Sequence, residues 1–227
     1  MPTIQDNLSA VLSLIQTYET RYDRNKNSVD LLAVSKSQRS EKILAAYDAG
    51  QRRFGENYLQ EALAKIASVA KQDIEWHFIG PLQSNKLKKI AAHFQWVHSV
   101  ASLKHAQLLN EMRPAQLPPL NICLQINISQ ELSKSGIPTE AALALANACL
   151  ELPRLKLRGL MCIPSAKKNL TEQRQDFQKL LELQLYLRKN GINLDTLSMG
   201  MSDDLEVAIA EGATMVRIGT KIFGQRR

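Results

Sequence analysis

Between residues 4 and 24, apolar side chains fall at Leu8, Val11, Leu12 and Ile15, a spacing that lays one stripe along a helix. After the polar stretch 25–28 comes a short solid block, Leu31-Leu32-Ala33-Val34. A run this short, apolar at every position, reads as a strand buried on both faces. Ser40 and Glu41 then open a second helical stretch that closes at Gly50, a residue suited to the left-handed turn after a helix. The same unit, a short apolar strand followed by a helix, recurs to the end of the chain. The pattern predicts strands over 31–34, 53–55, 75–80, 96–100, 121–127, 156–162, 196–199 and 215–218. Helices are predicted over 58–69, 84–92, 139–150 and 171–190 among the segments between them.

About eight strands alternating with about eight helices is the pattern of a parallel (β/α)8 TIM barrel, an α/β fold. A doubly wound open sheet is the alternative, and it calls for a glycine-rich loop after the first strand. Ser35-Lys36-Ser37-Gln38 stands there instead, so the barrel is preferred. A length of 227 residues suits one such barrel, so residues 1–227 are expected to form a single domain with an extra N-terminal helix, 1–26, packed on it.

Composition narrows the function classes. The formal charge of +7 invites a nucleic-acid reading, and Lys86, Lys88 and Lys89 cluster locally. Cations are otherwise spread along the chain and aromatics are only 5%, which argues against a base-stacking surface. Cys123, Cys149 and Cys162 are far apart and form no CxxC pair, as expected of reduced thiols in a cytoplasmic protein. The first residues carry polar and acidic side chains where a signal peptide needs an apolar core, and no apolar run is long enough to span a bilayer. His77, His93, His98 and His105 offer no ligand spacing backed by carboxylates, so no metal is expected.

In a barrel of this kind the C-terminal strand ends form the active face. Lys36 directly follows the first strand, where partial desolvation favours the neutral amine that attacks an aldehyde. Gly200-Met201-Ser202 and Gly219-Thr220 sit where the last strands hand over to helices. Glycines there let backbone N–H groups approach an anion, hydroxyls donate to it, and late-strand loops are the habitual phosphate site of the fold. An amine and an anion cradle on one face point to a phosphorylated aldehyde. Asp203 and Asp204 are expected to cap the helix that follows. His77 alternates with Phe78, so one of the two points into the barrel, and a hydrogen-bonded core role is the favoured reading for the histidine.

These stretches resemble the pyridoxal phosphate homeostasis protein family. The resemblance rests on Leu32-Ala33-Val34-Ser35-Lys36, Phe54-Gly55-Glu56-Asn57-Tyr58, Trp76 to Lys86, Ile126-Asn127-Ile128-Ser129 and Ser133-Lys134-Ser135-Gly136. It continues through Gly159-Leu160-Met161, Ser198 to Asp203 and Arg217-Ile218-Gly219-Thr220, with Ala166 a local departure where proline is expected. The resemblance implies a barrel like that of alanine racemase without the C-terminal β domain, and pyridoxal 5′-phosphate (PLP) held as a Schiff base on Lys36. It implies cofactor contacts from Lys36, Asn57, His77, Met199, Ser202, Arg217, Gly219 and Thr220, with Arg217 near the pyridine nitrogen and Lys134 a second, weaker contact. The implied role is intracellular PLP homeostasis: binding PLP and related B6 vitamers, buffering them and handing PLP to PLP-dependent apoenzymes, as a monomer and without catalysis. An amino-acid racemase with an improvised second base, His77 or Tyr58, is the alternative, and a polyanion-binding module ranks last.

Overall fold

In the computed structural model, which describes residues 2–129, 135–164 and 170–225, the apolar segments form eight strands that close into a barrel. They are β1 (Asp30–Val34), β2 (Arg53–Glu56), β3 (Glu75–Phe78), β4 (Trp96–Val100), β5 (Leu120–Ile126), β6 (Leu155–Cys162), β7 (Thr196–Ser198) and β8 (Met215–Ile218). Every neighbouring pair is parallel, and β8 closes on β1 with Leu32 opposite Arg217. The helices are α1 (Ile4–Arg21), α2 (Ser40–Asp48), α3 (Leu59–Val69), α4 (Leu87–His93), α5 (Leu103–Met112), α6 (Ala142–Leu150), α7 (Leu170–Lys189), α8 (Leu205–Ala210) and α9 (Thr220–Phe223). The architecture is the (β/α)8 TIM barrel.

Several boundaries differ from the sequence reading for local reasons. β3 ends at Phe78, not residue 80: the Ile79 N–H still bonds to the Glu56 carbonyl, but Pro81 has no N–H with which to extend the ladder. β7 ends at Ser198 because Gly200 turns the chain at a φ of +95°. The predicted helices at 84–92 and 139–150 each open with a 3-10 turn, Ser84–Lys86 and Thr139–Ala141. α1 stops at Arg21 instead of running to residue 24, and Leu12 is 40% exposed while Leu8, Val11 and Ile15 are buried. Thr3 and Asp6 form a reciprocal cap at its start, and the buried Glu19 carboxylate accepts from the N–H groups of Asn27 and Val29, tying α1 to β1.

Strand alternation divides the residues into two populations. Leu31, Ala33, Phe54, Trp76, Phe78, Val97, Ile122, Leu160, Leu197, Val216 and Ile218 join the apolar layer shared with the helices. On the same strands His77, His98, Ser198 and Arg217 are buried and joined in one polar hydrogen-bond network. Lys88 and Lys89 are exposed on α4, a solvated helix face. Among the described residues no helix is long and apolar enough to cross a membrane. Ser133, Lys134 and Ala166 lie outside the described residues.

Candidate functional site

At the C-terminal ends of the strands lies a cavity of ≈ 210 Å³ whose lining includes Lys36, Asn57, Ser202, Arg217, Gly219 and Thr220. Six of the eight residues proposed from the sequence therefore meet in one place. The other two do not. Met199 packs in the apolar layer between barrel and helices, because it falls on the outward parity of β7. His77 points inward as one of the alternating pair, but lies deeper in the barrel, bonded to His98 and Glu75. Val34, Gln38, Ile79, Met161, Ile163, Met201 and Asp203 also line the cavity and were not proposed; nearly all sit in or beside the quoted motifs at strand ends.

The turn that presents Lys36 is held from behind by a buried ionic cluster. Lys65 on α3 donates to the Ser35 carbonyl at 2.6 Å and to Glu56 at 2.8 Å, and also meets Glu61. The Ser35 hydroxyl donates to the same Glu56 oxygen at 2.6 Å, and the Ser37 N–H donates to Glu61. Ser37 itself has a φ of +60°, a left-handed conformation that such bonds help to hold. Both neighbours of Lys36 in the chain are thus pinned. Burial pushes the Glu56 carboxyl above its ordinary pKa against the pull of Lys65, and its second oxygen has no partner.

Arg217 enters from β8. Its Nη1 donates to the Ser198 carbonyl at 2.5 Å and to the Ser198 hydroxyl at 2.9 Å, and its Nη2 donates to the Cys162 carbonyl at 2.9 Å. Burial lowers its pKa, but a guanidinium starts so high that it stays charged. Ser202 is carried on a tight loop. Gly200 adopts positive φ, a Cβ there would come within 2.5 Å of Ala208, and the Met201 N–H donates to the Asp204 carboxylate. Asp204 therefore ties down the loop and makes no side-chain cap on α8, contrary to the sequence expectation. Gly219 lies so close to β1 that a Cβ would sit 3.0 Å from the Val34 carbonyl, which lets the start of α9 crowd the cavity.

The residues present suit a phosphorylated aldehyde. Lys36 supplies an amine, Arg217 a fixed cation, Ser202 and Thr220 hydroxyl donors, and Asn57 a buried side-chain oxygen with no donor among the described residues. In the short α9 the N–H groups of Ile222 and Phe223 already donate to the Gly219 carbonyl.

Comparison with known proteins agrees with this chemistry. The family described as "Alanine racemase, N-terminal domain" matches residues 7–227. A Pseudomonas aeruginosa protein named pyridoxal phosphate homeostasis protein is 55% identical over 226 residues, spanning 100% of this chain and 97% of that one. The PipY protein of Synechococcus elongatus PCC7942, solved with PLP bound, is 36% identical with a TM-score of 0.82, over 92% of this chain and 100% of that one. An alanine racemase from Corynebacterium glutamicum shares the fold at 15% identity and a TM-score of 0.71, matching 97% of this chain but 61% of its own.

Proposed function

The chain belongs to the alanine racemase N-terminal-domain family, and on that premise we propose that it acts in pyridoxal phosphate homeostasis, holding PLP as a Schiff base on Lys36. One observation carries the residue assignment: Lys36, Arg217, Ser202, Gly219 and Thr220, drawn from opposite ends of the sequence, line a single cavity. PLP supplies a reactive aldehyde and an electron-withdrawing ring when bound. In this reading Lys36 offers the amine that links to the aldehyde. Ser202, Thr220 and the backbone beside Gly219 hold the phosphate, and Asn57 braces the cavity wall. Arg217 faces the ring nitrogen as a donor that cannot accept a proton, which keeps that nitrogen unprotonated and the ring a weak electron sink. Met199 and His77 are left out of the contact set.

The protein on this reading is a carrier, not an enzyme. A racemase needs an acid/base group on each face of its substrate. His77 is engaged with His98 and Glu75 below the cavity, and Tyr58 is 57% exposed and does not line it. The remaining parts of the proposal are a cytoplasmic monomer that buffers B6 vitamers and delivers PLP to apoenzymes. The test is borohydride reduction of the protein incubated with PLP, followed by peptide mass spectrometry. A single adduct on Lys36 is expected; its absence, or an adduct on another lysine in its place, would overturn the assignment.

A further inference from the structure

Beneath the cavity, four hydrogen bonds run in series across the inside of the barrel. Arg217 Nη1 lies 2.9 Å from Ser198 Oγ, and Ser198 Oγ lies 2.8 Å from His98 Nδ1. His98 Nε2 lies 2.9 Å from His77 Nδ1, and His77 Nε2 lies 3.0 Å from Glu75 Oε1. The four links join β8, β7, β4 and β3, and end at a carboxylate that lines the opposite mouth of the barrel.

The ends of this chain dictate its direction. A guanidinium only donates and a carboxylate only accepts. Both imidazoles are fully buried, and burial lowers both pKa values, His98 further because His77 and the Arg217 cation face it. Glu75 is held below its ordinary pKa: burial opposes this, but His77 and Arg53 outweigh it. Each neutral ring has one N–H to give. His77 must then donate from Nε2 to Glu75 and accept at Nδ1; His98 must donate from Nε2 and accept at Nδ1 from the Ser198 hydroxyl. That leaves the Ser198 oxygen to accept from Arg217. Trp96 locks the rings in place, stacked on His77 at 5.3 Å with an 8° interplanar angle and tilted against His98 at 5.7 Å.

We propose that Glu75, His77, His98 and Ser198 form a one-directional hydrogen-bond chain in which His98 is the positioning residue for Arg217, so that a carboxylate at the far mouth governs how the cofactor cavity grips its ligand. The part concerning the ligand rests on the PLP reading above; the direction of the chain does not. Glu75 does not line the cavity, so an effect of its replacement on PLP binding has no route through direct contact.

The first arm of the test needs no cofactor. In ¹⁵N-histidine-labelled full-length protein, His77 and His98 are expected as neutral Nε2–H tautomers. An imidazolium or an Nδ1–H form at either ring overturns the proposal. The Arg217 guanidinium N–H signals are expected to exchange slowly in wild type, to lose protection in His98→Leu and Ser198→Ala, and to keep it in His98→Gln, whose amide reproduces one acceptor and one donor. Unchanged protection in His98→Leu and Ser198→Ala overturns the positioning role, and the serine variant serves alone where the leucine variant does not fold. The second arm titrates PLP. His98→Leu and Glu75→Leu are expected to weaken binding by about tenfold and about threefold, the scale of losing support for one charge-assisted hydrogen bond, while still giving the Lys36 adduct. His98→Gln should stay within about twofold of wild type, as should Asp195→Asn, a charge change at the same far mouth outside the chain. Wild-type affinity in His98→Leu overturns the link to the ligand. Absence of any adduct in wild type sinks the PLP reading instead, and leaves the first arm to decide the chain.

Discussion

At the N-terminal mouth of the barrel Arg53 meets Asp30 at 2.8 Å and Glu75 at 3.3 Å, and Arg158 meets Asp195 at 2.8 Å. At the C-terminal mouth Arg217 rests on two carbonyls and a hydroxyl. Both mouths carry a cleft of a few hundred Å³, but the cations of the lower one are answered by its own acids. Among the described residues the hydrogen bonds of this buried guanidinium go to neutral oxygens, and Asp204 acts on it without a direct bond, so no carboxylate is paired with it as at the lower mouth. Volume does not distinguish the two ends; charge balance does.

The contrast breaks first at Lys36. Replacing it by Ala should abolish the borohydride-trapped PLP adduct entirely while changing unfolding free energy by less than about 1 kcal/mol, since it lies at a strand end and not in the packed layer. Retention of an adduct elsewhere in the cavity would remove the distinction between the mouths. The next largest effect belongs to the cluster behind that lysine. Lys65→Met leaves Glu56 buried without its counter-charge and should cost about 3–5 kcal/mol in denaturant unfolding, with much of the loss recovered by adding Glu56→Gln.

Gly219→Ala sharpens the comparison from the phosphate side. The added methyl group must push against the Val34 carbonyl, 3.0 Å away, and PLP affinity by absorbance titration should fall by about tenfold, or roughly 1.4 kcal/mol. The smallest effect is expected below. Burial works against ionisation of Asp195, but hydrogen bonds from Arg158 and Thr196 hold its pKa below the ordinary value. A depressed carboxylate contributes stability above its unfolded pKa of about 3.9 and loses that contribution as pH falls through the folded value. Asp195→Asn should therefore cost under about 1 kcal/mol at neutral pH, because the pair is partly exposed, and the gap from wild type should close below about pH 4 in thermal melts.

Much of the barrel was legible because β1 to β8 are apolar on their helix-facing side and most strands are followed by a recognisable helix. α5 is marked less sharply: Ser102 caps it and Ala106 and Leu109 lie on its buried face, but its exposed Leu103 blurs the stripe. The cavity residues were legible where chemistry and strand ends coincide, as at Lys36 and Gly219. The ionic cluster was not: Glu56 and Lys65 are ordinary charges in sequence, and only the packing of α3 against the β1–β2 edge buries them together. For His77 the alternation said only that it or Phe78 points inward; the structure makes it His77, in the hydrogen-bonded core role that was the favoured reading, and below the cavity. Parity tells which way a side chain points and says nothing about which layer of the barrel it fills. The partnership with His98, Ser198 and Arg217 joins four strands spread over most of the chain, beyond the reach of any local spacing rule.

The ring stack of His77, Trp96 and His98 has a consequence for traffic. Three interlocked aromatic side chains stopper the barrel between its ends, separating the cavity at the Lys36 side from the far mouth. In the proposed carrier, loading and unloading share the Lys36 side of the barrel, and a recipient of PLP would have to face that same opening.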